Sequence, residues 1–447
     1  MSTTRRHFIQ ASGVASLAAQ AAEGQDKKVS ANDKIQIALI GTGGMGMGDT
    51  RSALMVPGVE LVACCDIYDG RLQRAKEMWG SHIMTTRDHR EVLQRKDIDA
   101  VIVATPDHWH SAITIEALQA GKHVYCEKPM VHTINEGKPV IEAQKKSGRM
   151  LQIGSQYASS LGFLKARDLF RQGAIGELNL VEAWLDRNTA LGAWQYSIPP
   201  DASPRTVDWD RFLGKAPKHA FEPIRLFRWR NYNDYGTGLA GDLFVHLFTG
   251  IHTVTNSLGP TRIFSSGGLR FWKDGRDAPD VMLALVDYPK TESHPEFSLS
   301  LKVNFVAGAV GESFGVRFVG SEGVMSATMT SVTLTRTPRE TEPGYTINTF
   351  AEATQKQFLK EYYEKYPRTN PSADSIRPER QERFNPPPSH NPHHEHHRNF
   401  YEAIRTNKPF FEDGVFGFRT AGPALLCNTS YFERRVCTWD PKNMTAV

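Results

Sequence analysis

Four groups of residues have types and spacings that could do chemistry. The first is Gly41-Thr42-Gly43-Gly44-Met45-Gly46, a G-x-G-x-x-G that directly follows the apolar run "KIQIALI" and opens a helix. Asp66 lies twenty residues beyond Gly46, at the end of the next apolar run, "VELVACCDI". Glycines at these positions permit a tight turn and let the backbone approach a pyrophosphate. The helix N-terminus faces the negative charge, and the acid accepts hydrogen bonds from ribose hydroxyls. Context turns a weak motif into a full dinucleotide fingerprint. An acid at 66 with no Arg directly after it would repel a 2′-phosphate, which favours NAD over NADP. Thr105-Pro106 ends a further strand, and Asp107-His108-Trp109-His110 follow it. That loop can line a cofactor, or His108 and His110 can be ordinary polar loop residues.

The second group is Glu127-Lys128-Pro129, closing the strand-like "KHVYCEKP". Pro cannot donate to a sheet ladder, so the chain has reached a rim there. Lys128 is either a solvated charge or a cation pointing into a cleft at the carboxyl ends of parallel strands. The third is the pair Asp242 and His246 in "YGTGLAGDLFVHLFTGIH". Spacing of four places both on one face of a helix, where a carboxylate orienting an imidazole makes an acid/base unit. A hydrogen-bonded His in a packed helix fits the same spacing. Tyr235, just upstream, could reach the same pocket. The fourth is "HHEHHRNF", with His393, His396 and His397 near metal-ligand spacing but without an H-E-x-x-H pattern, so no metal is expected.

The elements that must position these groups alternate. Short apolar strands ("KIQIALI", "VELVACCDI", "DAVIVATP", "KHVYCEKP", "MLQIGSQ") are separated by helical stretches, which predicts βαβ units on a parallel sheet. Right-handed crossovers then put every strand's carboxyl end on one rim. The expected fold is α/β: a doubly wound Rossmann domain over 32–157, then an α+β domain over 158–447. In the latter, "FSLSLKVNFV", "SFGVRFVGS" and "VTLTRTP" alternate polar and apolar residues, as in an open, mostly antiparallel sheet with helices on one face. Residues 351–392 are charged and Pro-rich and read as a surface excursion. Helical periodicity resumes at 393, and 417–434 reads as a final helix.

The N-terminus reads as a leader. Arg5-Arg6, then Phe8-Ile9, an Ala/Gly/Ser segment and Ala19-Gln20-Ala21 have the layout of a twin-arginine signal peptide. Residues 1–30 are therefore expected to be signal and linker, and the protein to be exported to the periplasm. Five cysteines, two of them adjacent (Cys64, Cys65), make no disulfide framework. A net charge of +4 without a basic run gives no reason to expect nucleic acid, and no apolar stretch is long enough for a membrane span.

Taken together, "ALIGTGGMG", "ATPDHWH", "GKHVYCEKP", "GDLFVHL" and "HHRNFYEAI", in that order, resemble the glucose–fructose oxidoreductase / inositol dehydrogenase (Gfo/Idh/MocA) family over about 33–447. The resemblance implies an NAD-dependent oxidoreductase acting on a secondary hydroxyl of a sugar, polyol or glycoside. It implies Lys128 beside the nicotinamide, His246 as base and Asp242 as its orienter, with Tyr235 also at the substrate. The dinucleotide would contact Gly41, Gly43, Gly44, Met45, Gly46, Asp66, Thr105, Pro106, His110, Glu127 and Lys128. A homo-oligomer, dimer or tetramer, formed through the open sheet is likewise implied. One branch of the family consists of exported glycosidases that use NAD transiently, and this is the alternative the resemblance carries.

Overall fold

The computed structural model describes residues 34–308, 311–337, 343–367 and 381–447. The leader expected over 1–30 lies outside them. Six strands form the first sheet: β1 (Ile35–Ile40), β2 (Val59–Cys65), β3 (Met84–Thr86), β4 (Ala100–Val103), β5 (His123–Glu127) and β6 (Leu151–Gly154). Their spatial order is β3-β2-β1-β4-β5-β6, and every pairing is parallel. The order reverses between β1 and β4, where open α/β sheets leave a crevice at the carboxyl ends. Helices α1 (Gly44–Leu54), α2 (Asp69–Trp79), α3 (His89–Gln94), α4 (Asp107–Gln119) and α5 (Gly137–Ser147) connect the strands. Strands covered on both faces must be apolar on both. In β1 only Gln36 escapes full burial, and β4 and β6 are buried throughout.

The second sheet has ten strands: β7 (Leu178–Asp186), β8 (Arg262–Gly268), β9 (Val281–Tyr288), β10 (Phe297–Asn304), β11 (Ser313–Gly320), β12 (Gly323–Thr328), β13 (Ser331–Arg336), β14 (Gln381–Phe384), β15 (Cys437–Asp440) and β16 (Thr445–Ala446). Only β7 and β10 run parallel; the other pairings are antiparallel. Burial alternates along β9 and β10, so one face packs inward and the other is open. Helices α6 (Leu161–Arg171), α7 (Val245–Thr255) and α10 (Gly414–Glu433) cover the inner face. Between α7 and α10 lie α8 (Glu352–Lys365), which has no buried residue, and α9 (Pro392–Thr406). The 351–392 stretch thus contributes an exposed helix and the edge strand β14, while 368–380 lies outside the described residues.

Helix α9 crosses back to the first sheet. Its Phe400, Tyr401 and Ala403 share a core with Ile37, Leu39, Ile102 and Tyr125. The last helix begins at Gly414 rather than 417, because the Asp413 side chain accepts from Val415 N and Phe416 N and so caps it three residues earlier. All five cysteines are buried and free. Among the described residues no helix is long and apolar enough to cross a membrane.

Candidate active site

At the carboxyl rim a cleft of about 490 Å³ runs from the glycine turn to Lys128. At one end, Gly41 has φ +98°, and a Cβ there would come within 2.5 Å of the Ala104 carbonyl. A Cβ on Gly46 would sit 2.1 Å from Gly41 O, whereas one on Gly44 would meet nothing within 4 Å. The turn therefore needs two of its glycines to close, and it leaves open space above α1, where a pyrophosphate would face unpaired N–H groups. Asp66 follows β2 and is buried; its Oδ2 accepts from Thr42 N (2.8 Å) and its Oδ1 from Tyr68 N (3.0 Å). Arg71 stands 3.5 Å from Asp66 and also lies over Gly43. Thr105 lines the same cleft, and its buried Oγ1 has no hydrogen-bond partner. An orphaned hydroxyl, an open glycine cradle and a rim carboxylate together suit a dinucleotide.

At the other end, Lys128 Nζ donates to Asp242 Oδ1 (2.8 Å) and to the Asp242 carbonyl (2.9 Å). Arg230 Nε donates to the same Oδ1 at 3.2 Å. Both partners in the Lys128–Asp242 pair are almost wholly buried. Burial opposes the charge on Asp242, but Lys128 and Arg230 together hold its carboxyl well below the ordinary range. Next to Lys128, Glu127 moves the opposite way: burial, then the neighbouring Asp49 carboxyl, push it well above the usual carboxylate range. Glu127 Oε1 accepts from Gln156 Nε2 at 3.0 Å.

The segment bearing Asp242 is docked onto the first domain by Asp107. Its Oδ2 accepts from Thr237 N (3.0 Å) and Thr237 Oγ1 (2.7 Å). Here the structure corrects one expectation. Ala240–Phe244 is wound as a π-turn leading into α7, and Asp242 bonds to Lys128 and Arg230 rather than orienting His246. Asp242 still lies close enough to act on the His246 charge, but no hydrogen bond joins the two. His246 stacks instead on Tyr157, with centroids 4.6 Å apart, and its Nδ1 is buried without a partner. Burial, reinforced by Lys128, keeps its imidazole neutral.

The other expected residues divide. Gly41, Gly43, Gly44, Met45, Asp66, Thr105, Pro106, His110, Glu127 and Lys128 line the cleft, and Gly46 lies beneath the turn. His110 has both ring nitrogens on main-chain carbonyls, Pro129 O at 2.7 Å and Thr105 O at 2.8 Å, so it ties the Lys128 rim to the Thr105 rim. His108 bonds to Phe212 O and packs among Trp109, His132 and Phe212; burial pushes it down to about 4. Tyr235 is fully buried against Phe212 and His108, away from the cleft lining. It precedes the glycine-rich segment in sequence, but its bulk is used to pack the loop layer beneath. His396 and His397 are fully buried; His397 stacks on Tyr125, and His396 contacts Ser159 and Ile153 O. Sequence reasoning missed Arg230, for which the Trp229-Arg230 pair in "FRWRNYNDYG" was the available signal, and it missed Tyr157, for which there was none.

Residues 35–155 match the oxidoreductase family with an NAD-binding Rossmann fold, Gfo/Idh/MocA. The first, parallel-sheet part of the chain is thus similar to that family's NAD-binding domain. Inositol 2-dehydrogenase of Salmonella typhimurium is 34% identical over 145 residues, 32% of this chain and 43% of that protein. A glycosyl hydrolase family 109 protein of Shewanella baltica is 31% identical over 158 residues, 33% of this chain and 34% of its own. The chain thus spans less than half the length of these curated relatives. Among solved structures, levoglucosan dehydrogenase in complex with NADH and levoglucosan superposes with a TM-score of 0.63 at 15% identity, over 91% of this chain and 99% of its own. An aldose-aldose oxidoreductase from Caulobacter crescentus gives 0.62 at 18% identity, over 91% and 99%. At these identities the likeness establishes the two-domain fold.

Proposed function

We propose that the protein is an NAD-dependent oxidoreductase acting on a secondary hydroxyl of a sugar, polyol or glycoside. The observation that carries this reading is the position of Lys128. Asp242 holds its ammonium at the end of the same cleft whose other end is the glycine cradle. Bound NAD supplies the hydride acceptor. Overall, a secondary alcohol and oxidised NAD become a ketone, NADH and one proton. Lys128 presents a cation and an N–H to the oxygen as alkoxide character develops. The hydroxyl proton passes to His246, whose buried Nδ1 has no hydrogen-bond partner and whose imidazole burial and Lys128 keep unprotonated before reaction, at the expense of its basicity. Asp242 fixes the Lys128 ammonium. Mixing purified protein, NAD and candidate carbohydrates and following absorbance near 340 nm tests the reading: accumulating NADH supports it, and none across sugars, polyols and sugar acids overturns it.

The glycosidase reading stays second, supported by the family 109 relatives. In it, substrate carbon is oxidised, the aglycone is eliminated, water adds, and the hydride returns, so free sugar appears without net NADH. NAD is proposed as the preferred cofactor because Asp66 faces the ribose position; Arg71 beside it offsets part of the repulsion a 2′-phosphate would meet.

Export through the twin-arginine route is proposed from Arg5-Arg6, and five buried free thiols fit folding in a reducing compartment. Arg5→Lys with Arg6→Lys should hold the protein in the cytoplasm, and a periplasmic double variant overturns the route. Assembly with a second copy through the open sheet face is proposed from exposed Phe264, Leu283 and Leu285, with Phe264 and Leu285 directly paired across β8 and β9.

A further inference from the structure

Arg230 is not needed to bind a dinucleotide, nor to place Lys128, which already has two bonds to Asp242. Its guanidinium lies over the Trp229 ring at 4.2 Å from the centroid, and its Nε is fixed on Asp242. No other described residue hydrogen-bonds its terminal nitrogens, and the side chain, about a fifth exposed, lines the cleft. A guanidinium stacked on one face and anchored through Nε keeps its two terminal nitrogens side by side, on a side chain that lines the cleft. That fork matches the two oxygens of a carboxylate.

The charge balance points the same way. Around Asp242 Oδ1 there are two cations for one carboxylate. Of the other acids lining this end, burial and Asp49 push the Glu127 carboxyl up, and burial also raises Asp107, whose Oδ2 is already taken by Thr237. Other cleft arginines have their own acids: Arg71 has Asp66, Arg87 has Asp69, and Arg211 has Asp88 and Asp208. The cations on Asp242 thus outnumber its charge by one, and oxidised nicotinamide would add another. A neutral sugar would leave that excess unanswered.

We propose that the substrate is a polyhydroxy acid, a uronate or aldonate, whose carboxylate is gripped by Arg230 while its reacting carbinol sits at Lys128. The proposal rests on the oxidoreductase reading and narrows it. Because Lys128 Nζ lies 2.8 Å and Arg230 Nε 3.2 Å from the same oxygen, the two nitrogens are within about 6 Å of each other. The carboxylate and the reacting carbinol are therefore bound in one cleft by neighbouring cations that share Asp242. The carboxylate is a handle only, and takes no part in the hydride transfer.

The test compares D-glucuronate, D-galacturonate and D-gluconate with D-glucose, D-galactose and D-glucuronamide, using the purified full chain, NAD and absorbance near 340 nm. At least one acid should exceed its neutral counterparts in kcat/KM by roughly 10- to 100-fold, with most of the difference in KM. Arg230→Gln should bring that ratio close to one, and Arg230→Lys, which keeps the charge but loses the fork, should restore part of it. Neutral substrates used as well as or better than the acids would overturn the proposal. So would an Arg230→Gln variant that slows acids and neutral sugars equally, since Arg230 would then be a positioning residue for Asp242. If no compound reduces NAD, calorimetric titration of the NADH-loaded protein with the same compounds separates the two ideas. Acids binding tighter than neutral sugars, with the difference lost in Arg230→Gln, keep the carboxylate site and sink hydride transfer. Equal or absent binding overturns the carboxylate site itself.

Discussion

The two ends of the cleft are built in different ways. The nucleotide end is a local object: glycines and a carboxylate on two successive β–turn–α connections, shaped mainly by backbone. The substrate end is assembled from two distant stretches, with Lys128 and Asp242 separated by 114 residues and Arg230 added from 12 residues before Asp242. One end asks little of side-chain charge. The other concentrates two cations on one buried carboxylate, so its properties depend on the whole set. Substitutions at the two ends should therefore fail in different ways.

The largest effect is expected at Lys128. Lys128→Ala should lower turnover by roughly 10²–10⁴-fold, measured as NADH formation, because the developing alkoxide loses its cation. Asp242→Ala comes next. It leaves Lys128 and Arg230 without their shared partner, and breaking a buried pair of this kind costs about 3–5 kcal/mol, visible in chemical denaturation. Retention of full stability would mean that water solvates both cations in the folded protein.

Asp66→Ala should weaken NAD binding by about 1–3 kcal/mol and narrow any preference over NADP, with little change in turnover at saturating cofactor. Calorimetric titration of each cofactor checks this, and a larger loss of turnover than of binding would erase the contrast between the two ends.

The smallest effect lies behind the cleft, at Glu412. It is fully buried, and burial pushes its carboxyl well above the ordinary range. A group whose folded pKa is raised stabilises the fold below its unfolded pKa, near ~4.3, and loses that contribution as pH rises toward the folded value. Glu412 should therefore make stability decline as pH rises above about 4.3, and Glu412→Gln should remove that contribution, up to about 1.4 kcal/mol per pH unit. His396 and His397, pushed down to about 3 by burial, contribute alike to both proteins, so the difference between them isolates Glu412. Urea titrations at pH 5, 6 and 7 read it directly, and identical slopes in the two proteins would contradict it.

Much of this contrast was legible in the sequence, for the same reason that it exists. The parallel sheet, its rim, the glycine turn and Asp66 all follow from local pattern, because residues within one β–turn–α unit meet whatever the rest of the chain does. Lys128 could be placed at the rim from Pro129 and from family resemblance. What it touches could not, since Asp242 arrives from another domain. Spacing of four brought Asp242 and His246 near each other but could not say that Asp242 would spend its hydrogen bonds on Lys128 and Arg230, and nothing in "GDLFVHL" announces a π-turn. Tyr235 was misplaced because sequence does not say which side of a loop an aromatic ring will face. Arg230 was passed over as one arginine among several nearby, and only its stacking and its missing partners distinguish it.

The central claim is that one cleft binds NAD at its glycine end and does chemistry at Lys128. The most direct measurement titrates NAD into the wild-type protein and Lys128→Ala, then follows absorbance near 340 nm on adding the best carbohydrate or sugar acid found. The prediction is that both proteins bind NAD with similar Kd while only the wild type forms NADH at an appreciable rate. A Lys128→Ala protein that turns over normally, or one that no longer binds NAD, would contradict it.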